Sequence, residues 1–198
     1  ALQAALVEDR RAGRIGDTLL LVEHPPVITL GVKTRRGPTH IVASPEALAA
    51  QGVTVHETGR GGDVTYHGPG QLVGYPILDL NPDRRDVHRY VRDLEEALIR
   101  AIAEFGVAGQ RVNGLTGVWA HDGGREEKVA AIGVRISRWI TSHGFALNVD
   151  TNLANFDLIV PCGIADRGVT SLERLLGRPV AMDDVQSAVE RAMCEVFD

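Results

Sequence analysis

The strongest constraint on this chain is a single long amphipathic stretch, set among short runs that glycine and proline keep interrupting. From about Val87 to Phe105, the residues Val87, Tyr90, Val91, Leu94, Leu98, Ala101, Ile102 and Phe105 recur at helical spacing and would share one face. Asp86 stands where it can cap the start of that helix, and Gly106 where it can end it. Strand-like runs precede it at Thr18 to Glu23, Val27 to Leu30, Val53 to His56, Asp63 to Tyr66 and Gln71 to Leu80, and follow it at Val112 to Trp119, Lys128 to Ile136 and Ile140 to Val149. Pro26 lacks an N–H and separates the first two. The third and fourth flank a glycine-rich turn, and Gly123-Gly124 signals a hairpin. Residues 1–12 read as a helix end stopped by Gly13, and Ser44-Pro45 opens a short helix closed by Gly52. Near the end, Thr170-Ser171-Leu172-Glu173 reads as a capping box, and Asp183-Asp184-Val185-Gln186 resembles one. Strands and helices do not alternate regularly. The expected class is therefore α+β, a mixed or antiparallel sheet with flanking helices.

Length and charge narrow the possibilities. A chain of 198 residues fits one domain spanning 1–198 and can bury roughly 70% of its unfolded surface without staples. The chain starts at Ala1, inside what reads as a helix, so a truncated N-terminus is expected. No apolar run approaches the roughly 20 residues that cross a bilayer, and no secretion signal is visible. The 2 cysteines cannot make a disulfide framework, which fits a reducing, cytoplasmic setting. A net charge of −5 argues against nucleic acid as a partner, while leaving local basic patches possible. The 7 histidines and 2 cysteines show no paired ligand spacing, so no metal site is expected.

Four segments could carry chemistry. Arg60-Gly61-Gly62-Asp63-Val64-Thr65-Tyr66-His67-Gly68-Pro69-Gly70-Gln71 combines glycines that allow close backbone approach with an arginine and a histidine; it reads as a ligand loop or as a tight hairpin. It is neither a Walker loop nor a dinucleotide fingerprint, because Val64 holds the place of the third glycine. Pro161-Cys162-Gly163 puts a thiol on constrained, side-chain-poor backbone, either as a nucleophile or as a small buried hydrophobe. Lys128 leads a strand of small and apolar residues through Ala131, Ile132 and Gly133, as a functional amine or simply its polar end. His143 opens Ser142-His143-Gly144-Phe145-Ala146-Leu147-Asn148, as a base or a structural histidine. Cys194 falls on the polar side of the last helix and reads as a surface thiol.

Together and in order, R-G-G-x-x-T-Y-H-x-P-G-Q, K-x-x-x-I-G, H-G-x-A-L-N and P-C-G resemble the lipoyl(octanoyl) transferase family, with support from Leu21 to Val27 and Gly117-Val118-Trp119. That resemblance runs from about Leu20 to Leu175. It implies the fold of the biotinyl and lipoyl protein-ligase catalytic domain. It also implies transfer of octanoyl from acyl carrier protein to a lysine ε-amine of lipoyl domains, in 2-oxoacid dehydrogenases and the glycine cleavage H protein. Cys162 matches the family's acyl-accepting cysteine and Lys128 its partner lysine. Arg60, Gly61, Gly62, Asp63, Val64, Thr65, Tyr66, His67, Ala131, Ile132, Gly133, Gly144, Phe145 and Ala146 match the segments lining the acyl tunnel and active site. No cofactor is implied, because thioester exchange is nearly balanced and amide formation is downhill. The competing readings are an ATP-dependent lipoate or biotin protein ligase on the same fold, and a non-catalytic carrier-binding module. Acidic carriers would need a basic patch, for which Lys33, Arg35, Arg36 and Arg60 are candidates, with Arg135 and Arg138 behind them.

Overall fold

A computed structural model describes residues 2–36, 40–160 and 168–198. Its helices are α1 (Leu2–Arg11), α2 (Pro45–Ala50), α3 (Val87–Ala103), α4 (Leu172–Leu176) and α5 (Met182–Phe197). Its strands are β1 (Thr18–Val22), β2 (Val27–Leu30), β3 (Thr54–Glu57), β4 (Val64–His67), β5 (Gln71–Ile77), β6 (Val118–Asp122), β7 (Arg125–Ser137) and β8 (Ile140–Asn148). The larger sheet has the order β1-β5-β8-β7-β6 and is antiparallel throughout. The smaller sheet has the order β3-β2-β4, with β2 parallel to β3 and antiparallel to β4. The expected α+β class with both pairing senses is what forms. Among the described residues, no helix is long and apolar enough to cross a membrane.

Two apolar clusters hold these layers. The main one packs Tyr90, Leu94, Leu98 and Ile102 of α3 and Val185, Val189 and Met193 of α5 against Leu72, Ala130, Phe145 and Leu147 of the larger sheet. Asp86 caps α3 as its position suggests, accepting from the N–H groups of His88 and Arg89. The second cluster joins Ile28, Leu30, Val64 and Tyr66 of the smaller sheet to Leu48 of α2 and to Phe156, Leu158 and Ile159.

Several local expectations shift. β3 and β4 are not hairpin partners, because both pair with β2 between them. The run from Val112 becomes strand only at Val118, since Gly114 and Gly117 take positive φ (77° and 119°) and break the extended path. The cap of α4 is Ser171, whose hydroxyl accepts from Arg174 N, one residue later than the capping box implied. α5 begins at Met182 after Ala181 and has no side-chain cap. The Gly123-Gly124 turn does join β6 to β7, with both glycines at positive φ.

Candidate active site

The position of Lys128 depends on an irregularity in β7. Trp119 faces Lys128, but Val118 faces Ala130, so Val129 is an extra residue on β7. In such a bulge both residues opposite the single partner turn to the same side. Val118, Val129 and Ala130 accordingly all lie in the main core. Strict alternation would have placed Lys128 on the core face with Ala130. The bulge turns it onto the opposite face. There it is half-buried, its Nζ 4.7 Å from the centroid of the Trp119 ring. Gly117 makes room beside it. A Cβ at Gly117 would come within 2.5 Å of the Ala130 carbonyl and 3.4 Å of the lysine stem. The Gly117 N–H is held by Oε1 of fully buried Glu95 at 3.0 Å, and Glu95 is itself paired with Arg92 and Arg111.

Beyond the bulge, alternation divides the expected tunnel residues between two faces. Ala131 pairs with Ala146 and Gly133 with Gly144, and Val73 of β5 stands opposite Ala146. These small residues share the face of Lys128. Ile132 and Phe145, which pair with each other, lie on the core face, where the Phe145 ring fills the space that Gly74 leaves open. The same division holds on β4. Val64 and Tyr66 belong to the second cluster, while Thr65 and His67 alternate to the other side.

The glycine motif lies across this face. Gly61 N–H donates to the Val134 carbonyl at 2.8 Å, and a Cβ on Gly133 would sit only 3.0 Å from the Gly61 carbonyl. Two glycines therefore meet where loop and sheet cross, and because β3 and β4 each pair with β2, the loop is not the tip of a hairpin between them. Gly62 takes φ +88°, a conformation that favours glycine. Arg60 is buried. Its guanidinium donates to Thr29 Oγ1 (3.0 Å), the Thr29 carbonyl (2.6 Å) and the Gly61 carbonyl (3.0 Å). It cannot belong to a surface docking patch as expected, because its charge is turned inward to brace the loop. Of the other candidates, Lys33, Arg135 and Arg138 are exposed, and the side chains of Arg35 and Arg36 lie outside the described set. Asp63 Oδ2 pairs with His40 Nδ1 at 2.5 Å, while Oδ1 is buried without a hydrogen-bond partner among the described residues.

His24, His67 and His143 form one group, with Arg60 beside His67 and His143. The His67 ring lies 6.0 Å from the His24 ring, His24 Nε2 meets the Tyr75 hydroxyl at 2.6 Å, and Tyr75 stacks edge-on to His143. Burial presses the His67 pKa down to about 4, against its hydrogen bond to Gln71, and the positive charge of Arg60 acts in the same direction. Burial also lowers His24 and His143. All three are neutral acceptors or donors near neutral pH.

Cys162 and its neighbours Pro161 and Gly163 lie outside the described residues. The chain on either side of them is tied to site residues. Val160 N–H donates to the His40 carbonyl at 2.8 Å, and His40 holds Asp63 of the glycine motif. Lys128 N–H donates to the Gly168 carbonyl at 3.1 Å, and Thr170 N–H donates back to the Lys128 carbonyl at 3.0 Å. Cys194 is exposed, as its place on the last helix implies. Sequence reasoning passed over Gln71, Asn148 and Thr170, which form a buried hydrogen-bonded chain beside His67. The available signal was that Gln71 and Asn148 close the first and third motifs.

Comparison with known proteins agrees with this architecture. The lipoyl protein ligase A/B catalytic domain model matches residues 1–194. An octanoyltransferase of Chloroflexus aggregans is 56% identical over 100% of this chain and 88% of its own length. One of Acidobacterium capsulatum is 58% identical over 99% and 83%. One of Myxococcus xanthus is 54% identical over the whole chain but 56% of its own length. The fold is shared with a bipartite lipoate protein ligase of Thermoplasma acidophilum, at TM-score 0.74 and 18% identity, covering 99% of this chain and 79% of that one. It is shared more distantly with biotin protein ligase of Aquifex aeolicus, at TM-score 0.54 and 17% identity, covering 86% and 69%. With the family model matching almost end to end and relatives above half identity along the full chain, this protein belongs to the lipoyl protein ligase A/B catalytic domain family.

Proposed function

We propose that this chain transfers octanoyl from acyl carrier protein to a lysine ε-amine of lipoyl domains, in 2-oxoacid dehydrogenases and the glycine cleavage H protein, through a thioester on Cys162. The observation that carries this reading is the anchoring around residue 162. One flank of that segment is bound to the His40–Asp63 pair and the other to the backbone of Lys128. Curated relatives that match this chain over almost its full length are octanoyltransferases.

The chemistry divides between two groups. A free thiol of pKa about 8.5 is only ~3% ionised at neutral pH. An ammonium about 4 Å away contributes up to ~4 kcal/mol at an effective dielectric near 20, enough to populate the thiolate. In the first half-reaction the Cys162 thiolate attacks the octanoyl thioester, and the departing pantetheine sulfur takes a proton from the Lys128 ammonium. In the second, the acceptor amine attacks the Cys162 thioester and gives its proton to the now neutral Lys128. The amide forms, and the thiolate and ammonium are restored. Ala131 and Ala146 present only methyl groups to a straight acyl chain, each buried CH₂ of which is worth about 0.8 kcal/mol, whereas Gly133 and Gly144 are already met by Gly61, Gly74 and Pro76. The test supplies an apo-lipoyl domain with octanoyl-acyl carrier protein in the absence of ATP. Octanoylation is expected. Modification that occurs only with free octanoate plus ATP would identify an adenylating ligase instead.

A further inference from the structure

We propose that Gln71 and Asn148 are positioning residues: together they hold His67 with its single proton on Nδ1, leaving Nε2 to accept an N–H of the attacking lysine amine. The argument starts from two backbone carbonyls, which can only accept. The Asn148 amide atom 3.0 Å from the Thr170 carbonyl must be its nitrogen, so Oδ1 faces Gln71. The Gln71 atom 2.8 Å from that oxygen and 3.4 Å from the Tyr66 carbonyl must also be the nitrogen. Gln71 therefore turns Oε1 to His67 Nδ1 at 2.7 Å, and Nδ1 must be the donor. The chain is shielded from water, with Gln71 2%, Asn148 4% and His67 9% exposed, so no member can rotate without leaving a buried polar group unpaired.

A second proton on His67 is opposed first by burial and then by the Arg60 guanidinium, which faces it from the loop, against the pull of the Gln71 oxygen. His24, on the β1–β2 connection, and His143, on β8, add to this only when they are themselves protonated. Tyr75, on β5, is engaged with His24. A neutral imidazole with a committed Nδ1–H presents only a lone pair at Nε2, and no described residue hydrogen-bonds that atom. Such a lone pair orients an amine by one N–H and leaves the amine's own lone pair free for the acyl carbon. The proton still leaves to Lys128. This role rests on the octanoyl-transfer reading, whereas the tautomer does not.

The test uses intact protein labelled with ¹⁵N-histidine. A long-range ¹H–¹⁵N spectrum is expected to show His67 as the Nδ1–H form, unchanged when free histidines titrate near 6.5. An Nε2–H form, or a His67 titration near that value, would overturn the proposal. Gln71→Glu keeps the acceptor but adds a charge, so it should raise the His67 pKa. Single-turnover transfer from preloaded acyl-enzyme should then gain an acid limb absent from wild type, with the rate recovering at higher pH. Gln71→Leu should mix the tautomers and slow transfer at all pH. If Gln71→Glu folds and its pH profile is unchanged, the positioning role is wrong. A loss confined to acyl loading would assign Nε2 to a pantetheine amide and overturn the lysine role. Absence of octanoyl transfer in wild type with the Nδ1–H spectrum intact would overturn the functional reading but leave the tautomer standing.

Discussion

Lys128 is a long cationic side chain beside Trp119 on a face that also carries Ala131, Gly133, Gly144 and Ala146, and the proposed transfer uses it as a charge and a proton carrier. Lys128→Met keeps the stem and its packing beside Gly117, so the fold should survive, with unfolding midpoints close to wild type. In a thiol-alkylation titration the reactive thiol should shift up toward the ordinary cysteine range, and both half-reactions should slow by tenfold or more, about 1.4 kcal/mol. An unchanged alkylation profile would separate Lys128 from the thiol. Ala131→Leu tests the strip: extra methylenes should cut kcat/KM for octanoyl thioester much more than for butanoyl thioester, and equal losses for both chain lengths would remove Ala131 from the acyl path. At this scale the sequence was informative where residue types are chemically distinctive. Cys162, Lys128, Arg60 and His67 stand out as a thiol, an amine, a guanidinium and an imidazole beside glycines. Gln71 and Asn148 do not, because an amide acquires its role only from the partners that fix its orientation, and those lie far away in sequence (148 − 71 = 77).

What turns Lys128 toward the site is an element-level feature, the extra residue Val129 in β7. Inserting one alanine in β6 between Val118 and Trp119 would give Val129 a partner, so regular alternation should turn Lys128 to the core face with Ala130. Activity should vanish and stability fall by several kcal/mol, the order expected for burying an unpaired amine. Deleting Val129 instead leaves Lys128 next to Ala130, so Lys128 keeps its face and activity should be retained, at a cost of about 2 kcal/mol for the lost core side chain. If urea unfolding and turnover respond alike in the two variants, the bulge is not what aims the lysine. No periodicity reveals such a bulge, since the residues after Lys128, namely Val129, Ala130, Ala131 and Ile132, are apolar without a break. The same limit hid the β7–β8 turn, made by Arg138 and Trp139 at positive φ without a glycine, and the insertion of β2 between β3 and β4, which depends on pairing across distant segments. The long helix α3 and the Gly123-Gly124 hairpin were legible because periodicity and turn chemistry are local.

Over the whole molecule, neutral buried histidines set a pH dependence. His67 titrates near 6.5 when unfolded and at about 4 when folded, so the unfolded chain binds the extra proton between those values. Stability should be fully present above 6.5 and fall as pH drops toward 4, by about 3 kcal/mol from His67 alone, with His24 and His143 adding in the same direction. Urea titrations across this interval check the slope, and a flat profile would contradict the burial of neutral His67. The proposed docking of acidic carriers is also tested at this scale. Lys33→Glu together with Arg135→Glu should raise KM for the carrier and weaken its salt dependence, while leaving turnover of a small octanoyl thioester unchanged. Equal KM for the carrier at low salt would exclude this surface. The central claim, an acyl group carried on Cys162, is tested most directly by intact mass spectrometry after incubation with octanoyl-acyl carrier protein. Wild type and Cys194→Ser are expected to gain one octanoyl group that hydroxylamine removes, and Cys162→Ser to gain none. Octanoyl found on Cys194, or transfer that proceeds normally in Cys162→Ser, would contradict it.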